Sequence, residues 1–145
     1  YITGSAWLAV VGLVMVAALA GFWFYNRYPA KVFPGDSLTW TIGSLIAGMA
    51  ILGNFEKIAA FVFIPYILET GLKIRGKLKK QSFAKPNKDG SLEVPYNKIY
   101  GLEHLAICIL KEIKPSKKVY EKDVVYFIHG FQIILIILAY FMFLY

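Results

Sequence analysis

Four apolar stretches alternate with polar ones along the 145-residue chain. Residues 2–25 carry no charged side chain and are long enough to cross a bilayer, for which about 20 apolar residues suffice. Residues 38–52 and 58–72 are shorter, and Pro65 predicts a kink in the second of them. Residues 124–145 form the fourth stretch, again without Asp, Glu, Lys or Arg. The pattern predicts an all-α integral membrane protein with four transmembrane helices.

Two polar segments, residues 26–37 and 73–123, connect these stretches. The longer one carries 13 of the 16 basic residues, and the shorter one adds Arg27 and Lys31. A helical hairpin between the two places both on one side of the membrane, and an excess of Lys and Arg in loops marks the cytoplasmic side. Both loops are therefore expected to be cytoplasmic.

Composition agrees with a membrane location. The chain is 58% hydrophobic with a mean hydropathy of +0.56, which is more apolar than a soluble domain of this length requires. Its net charge of +7 comes from basic residues gathered between apolar segments, so phosphate groups or lipid headgroups are expected as partners and nucleic acid is not. The chain begins at Tyr1 rather than at a methionine, and we expect it to be the later part of a longer protein.

The long loop contains a turn signal. In "KPNKDGSLEVPY", Asp89 and Gly90 are typical turn residues between two segments that can extend, so a small β-hairpin is predicted. Lys85 and Lys88 lie beside this turn and can grip a diphosphate. The run at residues 73–80, "KIRGKLKK", is instead typical of an anchor on anionic headgroups.

An amphipathic helix is predicted further along the same loop. Four apolar residues recur there at helical spacing with charged residues mostly off their stripe, which is typical of a helix lying in the membrane interface. The single cysteine, Cys108, falls within it and is interpreted as a packing residue. The four apolar residues are Leu102, Leu105, Ile109 and Ile113.

Asp36 is the only acidic residue in the bend "NRYPAKVFPGD" that separates the first two apolar stretches. An acidic residue at a helix start can cap backbone N–H groups, and the same carboxylate can bind a divalent cation together with substrate phosphates. Phe33 is open to two readings as well, as an interfacial aromatic or as a platform on which a base stacks. The residues alone leave both questions open.

Other ionisable residues have structural explanations. Glu69 lies near the end of an apolar segment, where an ionisable side chain indicates function, but an i to i+4 pair with Lys73 also accounts for it. His104 and His129 show no metal-ligand spacing, and a structural role is expected for both.

The bend "NRYPAKVFPGD" resembles a signature of the polyprenyl-phosphate N-acetylhexosamine-1-phosphate transferases. Further matches are "AILGNFEK", "IPYILE", "KIRGK" and "KDGSLEVPYNK", which cover most of the chain in the family's order. The chain is most similar to the dolichyl-phosphate branch and its archaeal relatives. "FAKPN" stands where the bacterial enzymes have a histidine-rich loop motif.

The resemblance implies a reaction and site residues. In this family a polyprenyl phosphate attacks the β-phosphate of a UDP-sugar, releasing UMP and leaving a lipid-linked sugar diphosphate. By resemblance, Asp36 coordinates Mg²⁺, or Mn²⁺ in its place, and Phe33 stacks on uracil. Asn26, which opens the signature, is expected among the substrate-binding residues with Lys85 and Lys88. An Arg-x-x-Arg-like element of the dolichyl branch is matched here by Ser82 and Lys85, which departs from the family pattern.

The resemblance covers only the later part of the family's length, because its paired aspartates and its "Asn…Asp-Gly" loop have no counterpart here. The implied function is the C-terminal part of a GlcNAc-1-phosphate transferase that starts N-linked glycan assembly in the endoplasmic reticulum or an archaeal cell membrane. Implied partners are a UDP-sugar, a polyprenyl phosphate, the N-terminal half of the enzyme and, in a homodimer, a second copy. The alternative is a noncatalytic scaffold or transporter subunit that binds lipid headgroups.

Overall fold

A computed structural model describes residues 5–143, which form six helices and one two-stranded sheet. The predicted first and last apolar stretches also include residues 2–4 and 144–145, which lie outside the described residues. The elements are, in order, α1 Ala6–Asn26, α2 Asp36–Gly53, α3 Glu56–Val62, α4 Ile64–Arg75, β1 Lys85–Pro86, β2 Leu92–Glu93, α5 Leu102–Ile113 and α6 Glu121–Phe143.

Three of these helices, α1, α2 and α6, are long and apolar enough to cross a membrane. The second has 18 residues and begins at Asp36, two residues before the predicted start. At about 1.5 Å per residue it is about 27 Å long, close to the thickness of the hydrocarbon core. The prediction of a mostly helical chain with segments long and apolar enough to span a membrane is confirmed.

The predicted span at residues 58–72 is divided into two helices. α3 has 7 residues and α4 has 12, with a turn at Phe63 between them. Pro65 explains the division, because it has no N–H to donate to the carbonyl of Phe61 and its ring would clash with that carbonyl. In the described part of the chain, helix length and composition therefore support three spans and not the predicted four.

The chain divides into two compact units, and the division falls inside α3, after Ala60. In the first unit, α1 and α2 approach closely at Gly12, where an added Cβ would lie 3.1 Å from the Cε of Met49. α2 ends because Asn54 adopts a left-handed conformation, with φ of 55°, and the next residue donates its N–H to the carbonyl of Ala50 at 3.0 Å. This is the usual way in which a helix satisfies its last carbonyls.

The second unit has a small apolar core between α5, α6 and the segments around the hairpin. Ile107 and Val119 are completely buried, and the N–H of Leu92 donates to the carbonyl of Val119 at 2.7 Å, which joins β2 to the segment before α6. Buried in this core are Ala106, Ile107, Val119 and Val124, with Ala84, Leu92, Val94, Leu110, Phe127 and Ile128 packed around them.

The predicted hairpin and loop helix are both present, and the helix buries a face other than the predicted apolar stripe. Its buried residues are His104, Ala106 and Ile107, whereas Ile113 is 66% exposed and Cys108 is exposed as well. The interpretation of the cysteine as a packing residue is therefore wrong. Helical spacing identifies a stripe but does not show which side faces the core, and the core here accepts a histidine and a small alanine in place of larger apolar residues.

Candidate functional site

The bend that carries the family signature is fixed to the end of α1. The side-chain amide of Asn26 donates to the carbonyl of Val32 at 2.8 Å, and the N–H of Lys31 donates to the carbonyl of Tyr25 at 2.9 Å. Both bonds close the bend onto the last turn of the helix. Asn26 therefore has a structural role in the signature, because it sets the path of the chain toward Phe33.

Arg27 covers the aromatic end of α1. Its guanidinium lies 4.9 Å from the ring centroid of Phe24 and 5.6 Å from that of Trp23. Such cation–π contacts keep the charge over the rings at a membrane interface.

Asp36 is the first residue of α2 and does not occupy the capping position, which belongs to Gly35. Its backbone carbonyl accepts a hydrogen bond from the Thr39 hydroxyl at 3.1 Å. Within residues 5–143 its exposed carboxylate accepts no hydrogen bond and forms no ion pair, so the side chain does not act as a cap. The positive end of the helix dipole still favours an anion at this position.

Phe33 precedes Asp36 by three residues, and 76% of its surface is exposed. An aromatic ring so exposed has a face free for stacking, and the unpaired carboxylate three residues later has oxygens free for a cation. Among the described residues no group of three or more His, Cys, Asp or Glu side chains could hold a metal ion. This bend therefore holds a single carboxylate.

In the second unit, Glu69 joins three segments. One carboxylate oxygen accepts a hydrogen bond from the N–H of Leu102 at 2.6 Å, and the other accepts one from the Ser82 hydroxyl at 3.0 Å. The predicted pair with Lys73 is present too, at 3.5 Å. Because the first N–H groups of a helix have no partner within it, the carboxylate satisfies an otherwise free donor of α5. Glu69 thus fixes α4, the loop after it and the start of α5 to one another.

Gly101 makes this junction sterically possible. A Cβ on it would lie 2.9 Å from the Cβ of Ser82 and 3.4 Å from a carboxylate oxygen of Glu69. Any larger residue would push the Ser82 segment away from the helix start. The Ser82 hydroxyl is thus held in a structural bond, which limits its use for binding a phosphate at the first position of the Arg-x-x-Arg-like element.

The first turn of α5 holds the backbone just before Lys85. A carboxylate oxygen of Glu103 accepts a hydrogen bond from the N–H of Ala84 at 3.0 Å. The buried ring of His104 accepts one from the N–H of Tyr100 at 3.3 Å through Nδ1, and its Nε2 lies 3.4 Å from the carbonyl of Phe83. This arrangement requires the tautomer protonated at Nε2, and the structural role expected for His104 is confirmed.

Lys85 is thereby presented from a fixed backbone. It begins β1, is paired in register with Glu93 of β2, and has an exposed side chain. Lys88 is exposed at the turn of the same hairpin. The two lysines chosen from the sequence therefore belong to one hairpin.

The hairpin turn is closed by Asp89. One of its carboxylate oxygens accepts hydrogen bonds from the Ser91 hydroxyl at 2.6 Å and the Ser91 N–H at 3.1 Å, and the other accepts one from the Lys118 ammonium at 2.8 Å. Gly90 has a φ of 78°, which glycine adopts without strain. The bond from Lys118 and those from Ser91 hold the pKa of Asp89 well below its ordinary value, and Asp89 raises the pKa of Lys118.

The candidate residues thus fall into two groups. Asn26, Phe33 and Asp36 lie in the first unit, and Lys85 and Lys88 lie in the second. The hydrogen bonds that Glu69 receives from Leu102 and Ser82 were not predicted from the sequence. An ionisable side chain near the end of an apolar helix was the signal available, but partners 13 and 33 residues away cannot be identified from spacing.

Comparison with known proteins places the signature bend in a family. Residues 1–54 match the model of glycosyl transferase family 4. A protein of Sulfolobus acidocaldarius, provisionally named a UDP-N-acetylglucosamine–dolichyl-phosphate N-acetylglucosaminephosphotransferase, is 33% identical over 135 residues, which is 93% of this chain and 39% of the relative. The chain is homologous to these transferases. The resemblance predicted from the sequence is therefore confirmed.

Further relatives agree over shorter stretches. A Saccharolobus solfataricus protein with the same provisional name is 38% identical over 91 residues, covering 62% of this chain and 28% of the relative. A phospho-N-acetylmuramoyl-pentapeptide-transferase of Carboxydothermus hydrogenoformans is 40% identical over 63 residues, covering 43% of this chain and 19% of the relative. No solved structure matches the chain. The chain spans 39% or less of the length of these three relatives.

Proposed function

We propose that this chain is the C-terminal part of an enzyme that transfers GlcNAc-1-phosphate from UDP-GlcNAc to a polyprenyl phosphate such as dolichyl phosphate. An oxygen of the lipid phosphate would attack the β-phosphorus of the UDP-sugar. The bond between that phosphorus and the bridging oxygen would break, and UMP would leave. The lipid-linked GlcNAc diphosphate so formed would be the first intermediate of N-linked glycan assembly.

The observation that carries this proposal is the unpaired carboxylate of Asp36 in the family signature. The bonds made by Asn26 and Lys31 fix the bend, and both Asp36 and Phe33 face solvent without another role in the described fold. The helix dipole would account for an anion at Asp36 and a membrane interface for the Phe33 ring, but neither role involves a specific contact of these side chains. Substrate binding gives each of them one, the ring for uracil and the carboxylate for a cation.

The Asp36 carboxylate fits Mg²⁺, with Mn²⁺ as an alternative, because such ions bind one or two carboxylates and complete their shell with water and substrate phosphates. When bound, the ion would neutralise charge that develops on the phosphoryl oxygens. Asp36 would hold it from the positive end of α2. The family's further acidic residues would come from the N-terminal half of the enzyme, the proposed partner of this chain.

The second unit would contribute fixed cations. Lys85 begins a strand whose preceding backbone is held by Glu103, so its ammonium starts from a defined position. Fixed cations stabilise the charge on a diphosphate without reorganising during the reaction. Lys88 would add a second charge from the turn, and Glu69 would act as a positioning residue by holding the segment that leads to Lys85.

The membrane arrangement is proposed with the function. α3 and α4 together would form a fourth, broken span, with the loops at residues 26–37 and 73–123 in the cytoplasm of an archaeal cell or facing the cytoplasm from the endoplasmic reticulum. Cys108 can report the side of the long loop, because it is the chain's single cysteine and is exposed. A membrane-impermeant maleimide should label it in inside-out archaeal vesicles but not in right-side-out ones. The reverse pattern would contradict the proposed orientation.

The activity test compares this chain alone with the chain co-expressed with the N-terminal half of a relative, in membranes that lack the endogenous enzyme. We expect lipid-linked GlcNAc diphosphate to form from UDP-GlcNAc only when both parts are present. A second tagged copy tests the homodimer by co-purification. Activity of this chain alone would show that the catalytic centre is placed wrongly, and inactive but properly assembled halves would favour the noncatalytic alternative.

A further inference from the structure

A basic cavity lies beside the hairpin turn of the second unit. Its volume is about 380 Å³, and it is open to solvent. Residues of the turn form one side, and residues from the end of α5 and from the segment before α6 form the other. The lining residues are Asn87, Lys88, Asp89, Ser91, Leu92, Glu93, Lys111, Lys117 and Lys118.

The charges around this cavity are unbalanced. Four lysines and two acidic residues, Asp89 and Glu93, are among the residues that line it. Asp89 is already bonded to Lys118 and to Ser91, so its charge is compensated within the wall. Through residues 5–143, the side chains of Lys88, Lys111 and Lys117 form no ion pair or hydrogen bond. Three lysines whose side chains have no bonded partner therefore line one cavity, together with one acidic residue, Glu93, that is not bonded to a lysine.

The backbone holds these cations together at some conformational cost. Lys117 has a φ of 51°, a left-handed conformation that residues with a side chain rarely adopt. A turn maintains it, with the N–H of Lys117 donating to the carbonyl of Lys114 at 3.0 Å. The hydrogen bond from Lys118 to Asp89 fixes the next residue to the hairpin.

We infer that this cavity binds a phosphate group through Lys88, Lys111 and Lys117. A phosphate offers several anionic oxygens to donors from different directions, and these three lysines come from three segments, the hairpin turn, α5 and the segment before α6. Its source can be a soluble phosphate ion or the headgroup of an anionic lipid at the membrane surface. Of the two lysines proposed to bind the diphosphate, Lys88 lines this cavity and Lys85 does not. The inference is therefore tested at Lys111 and Lys117, which have no part in the proposed transfer reaction.

The experiment measures protection of individual lysines from an amine-reactive acetylating reagent, read by mass spectrometry on the full chain in nanodiscs. One arm adds pyrophosphate to nanodiscs of phosphatidylcholine alone. The other arm replaces part of that lipid with phosphatidylglycerol and adds no soluble phosphate. Lys98 is the matched control, because it is an exposed lysine of the same unit and lies outside the cavity.

Protection of Lys111 and Lys117, with Lys98 unchanged, supports the inference, and the arm in which it occurs identifies the source. Protection of Lys98 equal to that of Lys111 and Lys117 would overturn the inference. Absence of protection at Lys111 and Lys117 in both arms would overturn it as well. The variants Lys111→Gln and Lys117→Gln should each weaken pyrophosphate or lipid-headgroup binding about tenfold, as expected for loss of one charged hydrogen bond. Lys98→Gln should change it little, and a loss equal to that of the cavity variants would mean that surface charge alone is responsible.

Because Lys98 and Lys117 are exposed and Lys111 is half-buried at the cavity rim, all variants should fold, which near-identical thermal unfolding would verify. Cavity binding should also persist without UDP-GlcNAc and in Asp36→Asn. Its failure is thus distinguishable from failure of the proposed transferase function.

Discussion

The carboxylate of Glu69 lies 2.6 Å from the backbone nitrogen of Leu102, and this hydrogen bond joins the last turns of α4 to the first residue of α5. Its other oxygen accepts the bond from Ser82. One side chain at the end of an apolar helix therefore organises the loop that presents Lys85. Substitutions at Glu69 can therefore show whether this side chain holds the loop in place or binds the substrate itself.

Glu69→Gln should destabilise the second unit by about 1–3 kcal/mol, because two hydrogen bonds to a charged acceptor are weakened or lost. Limited proteolysis should cut the loop after α4 faster in the variant. Glu112→Gln, an exposed change on α5, is the control and should leave the cleavage rate unchanged. Equal cleavage of both variants would argue against the role of Glu69.

In the complete enzyme, a positioning role predicts that Glu69→Gln lowers kcat while Glu69→Asp partly restores it.

Gly101→Ala should cost about 1–3 kcal/mol of unfolding free energy, because the new methyl group would overlap Ser82. Ser82→Gly in the same chain should recover part of the loss by removing the overlapping atoms. Gly71→Ala is the matched control: nothing lies within 4 Å of its Cβ position in α4, so a small gain of up to about 1 kcal/mol is expected from helix propensity. Thermal unfolding in detergent measures all three, and a neutral Gly101→Ala would disprove the close approach.

Asp36→Asn should lower transfer by the assembled enzyme about 100-fold or more, since a neutral amide is a poor ligand for Mg²⁺ and cannot help offset phosphoryl charge. Stability should change little, because the Asp36 side chain makes no bond within the described structure. Glu56→Gln, at the exposed start of α3, controls for loss of a negative charge at a helix start. The transfer rates of both variants are measured across a Mg²⁺ titration. Near-normal turnover of Asp36→Asn at limiting Mg²⁺ would refute the metal role.

Lys85→Ala should raise the KM for UDP-GlcNAc or lower kcat about tenfold, because a cation held by the hairpin is removed from the diphosphate. Lys79→Ala, in the basic run after α4, should have little effect on either constant, since that run is expected to contact lipid headgroups. The two variants are compared at several salt concentrations. Equal, salt-sensitive losses from both would favour general lipid binding over a specific grip on the substrate.

The contact between Asp89 and Lys118 should persist well into the acid range. The folded pKa of Asp89 is depressed below its ordinary value of 3.8, so its stabilisation is complete above the unfolded pKa and is lost as the pH falls through the lower, folded one. Between pH 7 and pH 4 the NMR signal of the Ser91 amide should therefore not titrate. In Lys118→Gln the folded pKa should rise toward the ordinary value, and an unchanged titration in this variant would show that Lys118 does not contribute.

The sequence by itself determined the helical membrane character, the hairpin at Asp89 and Gly90, and the family signature around Phe33 and Asp36. These features depend on local composition, periodicity and turn chemistry, which act over a few neighbouring residues. The break at Pro65 was indicated for the same reason.

Only the tertiary structure decided which face of α5 is buried, that Gly35 rather than Asp36 occupies the capping position of α2, and that Glu69 accepts hydrogen bonds from Ser82 and Leu102. It also brought Lys88 and Lys117 to one cavity. Each of these facts depends on contacts between residues distant in sequence or on backbone geometry at one residue. Pattern and spacing do not encode such contacts, because they arise only when whole elements pack against one another.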